Sequence, residues 1–473
     1  MNKITSSIST DMNALLADQK KAFNQTPFPS LSSRRSDLKK LKNTILKYRD
    51  DCISAASEDF GHRSRYDTEM QDLMHVILGI NHMSRKLARW MRPERRTVNW
   101  WNLPARARIQ YQPLGVVGIM SPWNYPFTMA LLPLATALAA GNRAIIKPSE
   151  FTPASSALIQ QIVEEIFPRE KVAVVTGDAK VGAAFSSLPF DHLFFTGSTA
   201  VGKKIMENAA KNLVPVTLEL GGKSPAIIGS DVDMAEVASS IVFGRLSNGG
   251  QACIAPDYVL VHRDKRDEFV TLVRDAITRS FPKGTADPTY TSVATSGHFD
   301  RVTNLVEDAR SKGADIIQID PKGKAQSNKR AYPATVLLNV TDDMAVTQEE
   351  IFGPLLPVLT YDSFDDAISY VVDRPRPLAL YFFGKTASER DRVLTQTHSG
   401  GAAINDTMYQ YVQKALPFGG IGPSGIGAYH GIEGFKTMSH AKAVFYQSRL
   451  SGTWLARPPY GKIADVLISV LIR

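Results

Sequence analysis

The chain has 473 residues, of which 44% are hydrophobic and 21% charged, with 32 Gly and 27 Pro. This balance fits a folded protein with a sizeable core and excludes collagen-like, coiled-coil and wholly disordered chains. The two cysteines, Cys52 and Cys253, cannot build a disulfide framework or a Cys-rich metal centre, and a net charge of +9 does not by itself name a partner.

The first ten residues, rich in Ser and Thr, read as loose. Asp11 and Asp18 interrupt the N-terminal stretch, so no signal peptide is expected and the protein is read as cytoplasmic. Leu38, Leu41, Ile45, Tyr48 and Cys52 recur at helical intervals, which makes Cys52 a core residue. A second helix is expected from about Met70 to Met91, stopped by Pro93. The basic run Arg85–Arg108 is interrupted by Trp, Leu and Met and reads as a solvated face rather than a nucleic-acid site. Phe127–Ala140 is apolar but contains Pro133 and is too short to span a bilayer.

Strand–helix alternation follows. Strands are expected at Val116–Met120, Ala144–Lys147, Val172–Val175, Leu193–Phe195 and Pro225–Ile228. A helix should open at Thr152–Pro153, capped by the threonine, and run to Phe167. From about Asp231 the alternation restarts, with strands at Val259–Val261, Thr335–Leu338, Leu355–Leu359, Leu380–Phe383 and Ala402–Ile404. Two α/β units with mostly parallel sheets are the expected fold class. Gly323–Lys329 reads as a polar surface loop. Ile463, Val466, Leu467, Val470 and Leu471 share one helical face, read as a packed or disordered tail in preference to peripheral membrane attachment.

Chemistry becomes visible at a few turns. Thr196-Gly197-Ser198-Thr199-Ala200-Val201-Gly202 joins a strand to a helix. Gly197 suits a tight turn, Gly202 a close backbone approach, and the helix start presents N–H groups to phosphate. An ordinary strand–helix turn would look the same. Lys147 and Glu150 could form a surface ion pair or recognise the hydroxyls of an adenosine ribose, where Glu150 would repel a 2′-phosphate. Cys253 follows Gly249-Gly250-Gln251-Ala252 and is a nucleophile candidate, with an inert buried cysteine as its alternative. Glu219, in Glu219-Leu220-Gly221-Gly222-Lys223, is a candidate base or a plain surface carboxylate. Asn124, in Trp123-Asn124-Tyr125-Pro126, could donate to an oxyanion or simply belong to a capped turn.

Taken in order, Ser121–Phe127, Lys147–Glu150, Thr196–Lys203, Glu219–Lys223, Gly249–Cys253, Glu350–Phe352 and Pro417–Gly420 make the chain resemble the NAD(P)-dependent aldehyde dehydrogenase superfamily from about residue 12 to residue 448. The segments Cys253–Tyr258 and Gly427–Gly431 place the resemblance in its class 3-like branch. Asp59–Ser64 and Arg89–Arg95 are similar to those of bacterial coniferyl aldehyde dehydrogenases.

The resemblance implies a Rossmann-type cofactor domain (1–105 and 118–228), a second α/β catalytic domain (229–418), bridging oligomerisation segments (106–117 and 437–446) and a C-terminal tail (447–473). It implies Cys253 as nucleophile, Glu219 as the water-activating base and Asn124 as oxyanion donor. Trp123, Lys147, Glu150, Gly197, Ser198, Gly202, Glu350 and Phe352 would contact the cofactor. The expected cofactor is NAD, with NADP tolerated, and no metal. The expected substrate is a bulky aromatic (coniferyl-like) or long aliphatic aldehyde, and the expected assembly is a homodimer with no nucleic-acid or integral membrane partner. A coenzyme-A-acylating enzyme and a non-catalytic NAD-binding protein are the alternatives. His430 is read as a structural residue.

Overall fold

The computed structural model describes residues 2–322 and 330–472, so the stretch Gly323–Lys329 lies outside the described residues. A six-stranded sheet runs in the order Gly425–Ile426, Val216–Glu219, His192–Thr196, Val116–Met120, Arg143–Lys147, Val172–Val174. Every pairing is parallel except that of Gly425–Ile426 with Val216–Glu219. From Val116–Met120 the chain steps outward through two strands, then returns to His192–Thr196 on the other side. This reversal of strand order opens a crevice beyond the carboxyl ends of the two central strands, where α/β sheets bind ligands. Asn124 and Gly197 follow those two ends.

The second sheet has seven strands in the order Asp315–Ile319, Ala334–Leu338, Leu355–Tyr361, Tyr258–His262, Pro225–Ile228, Ala379–Phe383, Gly401–Ile404. It is parallel apart from the edge strand Asp315–Ile319. Pro225–Ile228, assigned from sequence to the cofactor unit that ends at 228, pairs within this second sheet instead. The crossover therefore falls just after Glu219, and that is how the Glu219–Lys223 turn comes to lie between the two sheets. Glu94–Arg96, Arg106–Pro113 and Ser439–Tyr446 form a third, antiparallel sheet. Val116 and Val117, grouped with the bridging segment from sequence, belong to the six-stranded sheet instead.

The core explains most departures from the sequence expectations. The helix Pro126–Ala140 is buried over its whole length, which accounts for a continuous apolar run that spans no membrane. It packs on the helix Met74–Trp90, where Gly79 admits Leu132: a Cβ there would sit 2.5 Å from its Cδ1. That second helix is entered through a π turn, Glu69–Leu73. The periodicity through Cys52 covers two helices, Leu31–Lys47 and Arg49–Phe60, broken at Tyr48. Cys52 is fully buried in that core.

Three expectations are corrected. Residues 2–10, read as loose, instead begin a helix, Asn2–Gln25, which docks through Met12, Leu15 and Leu16. Gln19 fixes it by donating to Ala144 O at 3.2 Å and Arg169 O at 2.9 Å. Thr152 does not cap the helix Pro153–Ile166 with its side chain. The cap comes from Asp59, whose carboxylate accepts from Ala154 N and Ser155 N at 2.9 Å each. Finally, the tail is neither packed nor disordered: Lys462–Leu471 is a helix with Ile463, Val466 and Val470 exposed and only Ala464 buried. No helix among the described residues is long and apolar enough to cross a membrane.

Candidate active site

Cys253 stands where two cavities meet. The loop that carries it leaves the helix Met234–Leu246 through three consecutive left-handed residues, Asn248 (φ 51°), Gly249 (φ 63°) and Gly250 (φ 76°). Glycine is needed at the last two. A Cβ on Gly249 would lie 2.8 Å from Thr291 O, and one on Gly250 would run into Gly353 O. Gln251 fixes the next turn: its Nε2 donates to Asn248 O (2.8 Å) and Ser292 O (3.0 Å), and its Oε1 accepts from Ala294 N (2.9 Å). Burial, together with the nearby carboxyls of Glu350 and Glu219, pushes the Cys253 thiol up from its ordinary range.

Asn124 is tied to the same loop. Its Nδ2 donates to Gln251 O at 3.0 Å, and Asn248 Nδ2 donates back to Asn124 O at 2.9 Å. Glu219 ends its strand between Thr196 and Gly425 and is 2% exposed. Neither of its carboxyl oxygens has a hydrogen-bond partner, and burial lifts the group well above the usual carboxylate range. The sheet thus aims an unpaired, proton-hungry carboxyl at the cavity that Cys253 also lines.

Glu350 and Phe352 reach this cavity on a strongly braced segment. Arg245 donates to Gly353 O, Arg301 donates to Ile351 O, and Ile351 N donates to Asp257 Oδ1 at 2.9 Å. Lys223 pairs with Asp257 and also donates to Glu349 O at 2.9 Å. The Glu350 carboxyl lies against Gly221, where a Cβ would collide with it, and accepts from the Gly222 backbone. Burial first, then the Asp257 charge, raise Glu350 to about 8. Phe352 holds φ 49° and meets Trp123 edge-on, with ring centroids 5.4 Å apart.

The remaining cofactor candidates separate into two groups. Gly197 and Ser198 line this cavity, and Ser198 caps the helix Thr199–Ala210, accepting from Val201 N at 3.4 Å. Gly202 does not line it; it lets the helix close on Leu220, whose Cδ2 would lie 2.7 Å from an added Cβ. Lys147 and Glu150 are also outside the lining. They form a 2.6 Å ion pair at the end of the neighbouring strand, with Lys147 buried and Glu150 exposed. His298 and Arg301, one helical turn apart on Ser296–Ser311, line the cavity and were missed, because their spacing matches no motif. His298 lies 4.4 Å from the Trp123 ring.

On the other side of Cys253 is a cavity lined almost wholly by apolar side chains. Met70, Met74 and His75 come from the π turn and the helix after it, Phe243 from the helix before the thiol loop, and Met408, Tyr411 and Phe418 from the C-terminal part. Trp123, Asn124 and Tyr125 thus divide between the chambers, Trp123 facing one and Tyr125 the other, while Phe127 is buried in the core. His430 lines neither. It is packed among Tyr411, Phe418 and Tyr429, with no hydrogen bond to either ring nitrogen.

The comparisons agree with this architecture. The chain is 47% identical to a probable coniferyl aldehyde dehydrogenase of Pseudomonas aeruginosa over 97% of its own length and 95% of that protein. It is 46% identical to a coniferyl aldehyde dehydrogenase of a Pseudomonas species, covering 98% and 96% of the two chains. A solved structure described as the substrate-bound state of Staphylococcus aureus AldH superposes with a TM-score of 0.92 at 35% identity, covering 97% of this chain and 99% of that one. Residues 1–444 match the model of the aldehyde dehydrogenase family, and the chain belongs to that family.

Proposed function

We propose that the protein oxidises a bulky aldehyde to its carboxylic acid with NAD in preference to NADP, by covalent catalysis at Cys253. The observation that carries this reading is the position of the Cys253 thiol between an apolar chamber and a second chamber holding Glu219, Glu350 and the Ser198-capped helix start. A nicotinamide dinucleotide fits the second chamber. It lies at the strand-order reversal and offers the unpartnered Thr196 hydroxyl, both free Glu219 oxygens and two rings set edge-on to one another, Trp123 and Phe352. Gly197, Ser198 and the helix start would hold phosphate, Lys147 and Glu150 the adenosine ribose, and Glu350 the other ribose. When bound, the nicotinamide supplies the hydride acceptor.

The protein's own groups perform the rest. The Cys253 thiolate adds to the aldehyde carbon to give a thiohemiacetal, whose oxyanion is held by Asn124 Nδ2 and the Cys253 backbone N–H. After oxidation the acyl group is a thioester on Cys253. Glu219 takes a proton from water as the water attacks that thioester, and the acid and free thiol are released. The apolar chamber supports an aromatic (coniferyl-like) or long aliphatic substrate, and the likeness to coniferyl aldehyde dehydrogenases of Pseudomonas supports the aromatic class. The exposed edge strand Ser439–Tyr446, carrying Phe445 and Tyr446 at the surface, supports a homodimer. We also place the protein in the cytoplasm.

A purified-protein panel of acetaldehyde, cinnamaldehydes and decanal, each with NAD and NADP and with product identification, tests the reading. NADH and carboxylate from the bulky aldehydes are expected. A coenzyme-A-dependent acyl thioester as major product, a clear NADP preference, or turnover dominated by acetaldehyde would overturn it.

A further inference from the structure

The apolar chamber has one wall that is not apolar. His75, in the first turn of Met74–Trp90, is 6% exposed and lines the same cavity as Cys253. Its ring is fixed edge-on to Tyr411 at 4.9 Å, and its Nδ1 is buried with no hydrogen-bond partner. The adjacent polar groups of that wall are spoken for. Gln71 accepts from the Tyr125 hydroxyl at 3.0 Å and donates to Asp67 Oδ1 at 3.0 Å and Ser247 Oγ at 3.2 Å. His75 therefore keeps unused hydrogen-bonding capacity where every other feature favours hydrocarbon, and an unmade bond at a buried nitrogen is costly.

Behind it sits a second uncompensated group. Lys414 is 9% exposed, with its Nζ 4.3 Å from the Tyr411 ring centroid and 3.2 Å from Tyr411 O, and no ion pair holds it among the described residues. Its charge bears on His75. Burial brings Lys414 down to about 7 and His75 down to about 3, so the imidazole is neutral at physiological pH. With the imidazole neutral and Lys414 only partly protonated near neutral pH, this wall offers hydrogen-bonding nitrogen in an otherwise apolar chamber.

We propose that His75, backed by Lys414, is a specificity-determining subsite for a ring oxygen of the substrate: the phenolic hydroxyl of a 4-hydroxyaryl aldehyde whose carbonyl carbon reacts at Cys253. A phenol can both donate to and accept from a neutral imidazole. Met70, Met74 and Met408 supply adaptable thioethers against an aromatic ring. A long aliphatic chain would leave the His75 nitrogen desolvated and unpaired. A site built to hydrogen-bond a substrate hydroxyl discriminates strongly against analogues that lack one. The inference rests on the aldehyde-oxidising reading above and decides between its two substrate classes.

The test compares kcat/KM for 4-hydroxycinnamaldehyde, cinnamaldehyde and decanal in the wild type and in His75→Phe, which keeps an aromatic ring beside Tyr411 but removes both nitrogens. The wild type should favour the 4-hydroxy compound over cinnamaldehyde by about tenfold or more, the size of one hydrogen bond, and His75→Phe should bring the ratio close to one. A ratio unaltered in His75→Phe, no hydroxyl preference in the wild type, or a wild-type preference for decanal overturns the proposal. To keep the test independent of the variant's folding, the wild type alone is also assayed for product inhibition. The 4-hydroxycinnamate ion should inhibit at about tenfold lower concentration than cinnamate, and equal inhibition overturns the subsite. Failure to oxidise any of the three aldehydes would instead sink the functional reading itself.

Discussion

Asn124 and Asn248 hold one another: Asn248 Nδ2 donates to Asn124 O at 2.9 Å, and both amides converge on Gln251 O, two residues before Cys253. The proposed oxyanion donor and the proposed nucleophile thus share one hydrogen-bonded frame. Asn124→Ala should lower kcat by about 10²–10³-fold, the usual cost of losing one oxyanion donor. KM should move less than kcat. Steady-state kinetics with a fixed aldehyde checks this, and a variant within threefold of wild-type kcat would remove Asn124 from the mechanism.

Cys253→Ser and Glu219→Gln separate the two halves of the reaction. The serine hydroxyl is a far weaker nucleophile, so oxidation should all but vanish while NAD still binds, as followed by protein fluorescence. Glu219→Gln keeps size but removes the base, and deacylation should slow by about 100-fold or more. Rapid-quench detection of an accumulating acyl-enzyme is the readout. Normal deacylation in Glu219→Gln would assign the base elsewhere.

Activity should climb as the medium becomes more alkaline. Burial raises both the Cys253 thiol and the Glu219 carboxyl, so each keeps its proton to higher pH than the free group, and each proposed role needs the proton gone. The acidic limb of the kcat profile should therefore lie well above the usual carboxylate range and should lose its Glu219 component in Glu219→Gln. A profile flat from pH 5 to pH 9 would contradict the burial argument.

Asp59 offers a stability test far from the chemistry. Its carboxylate bonds Ala154 N and Ser155 N, clamping the helix Arg49–Phe60 to the start of Pro153–Ile166. Asp59→Ala should cost about 1–2 kcal/mol, at the upper end for a helix cap, because it also releases a contact between distant segments. Thermal unfolding measures it, and an unchanged Tm would show that Thr152 or water can take over.

That cap also shows what the sequence could and could not disclose. Thr152 followed by proline is a sound local signal, yet the cap arrives from a residue far away in the chain. Local reading failed similarly at Val216–Glu219, the strand that carries the proposed base, because its apolar–polar alternation lasts only four residues between Pro215 and the Gly221-Gly222 turn. The strands with long apolar runs, such as Val116–Met120 and Pro225–Ile228, were legible to the residue. So were the turns carrying Asn124, Gly197 and Cys253, since glycines and prolines mark them, whereas Glu350 entered only through the family resemblance. His298, Arg301 and His75 were not, because each sits on a helix whose pattern reports only burial. Their neighbours across the chamber are set by tertiary packing.

The two chambers beside Cys253 are built from different parts of the chain. One is walled by the turns at the ends of the six-stranded sheet and by the Glu350 segment; the other by the π-turn region and the stretch from Met408 to Phe418. Apart from Cys253 itself, Met129 is the residue they share. Substitutions on one side therefore have few partners on the other, and their effects should combine nearly additively. Such a division lets a lineage change the aldehydes it accepts without renegotiating its cofactor, and it gives a protein engineer two separately adjustable halves around one sulfur atom.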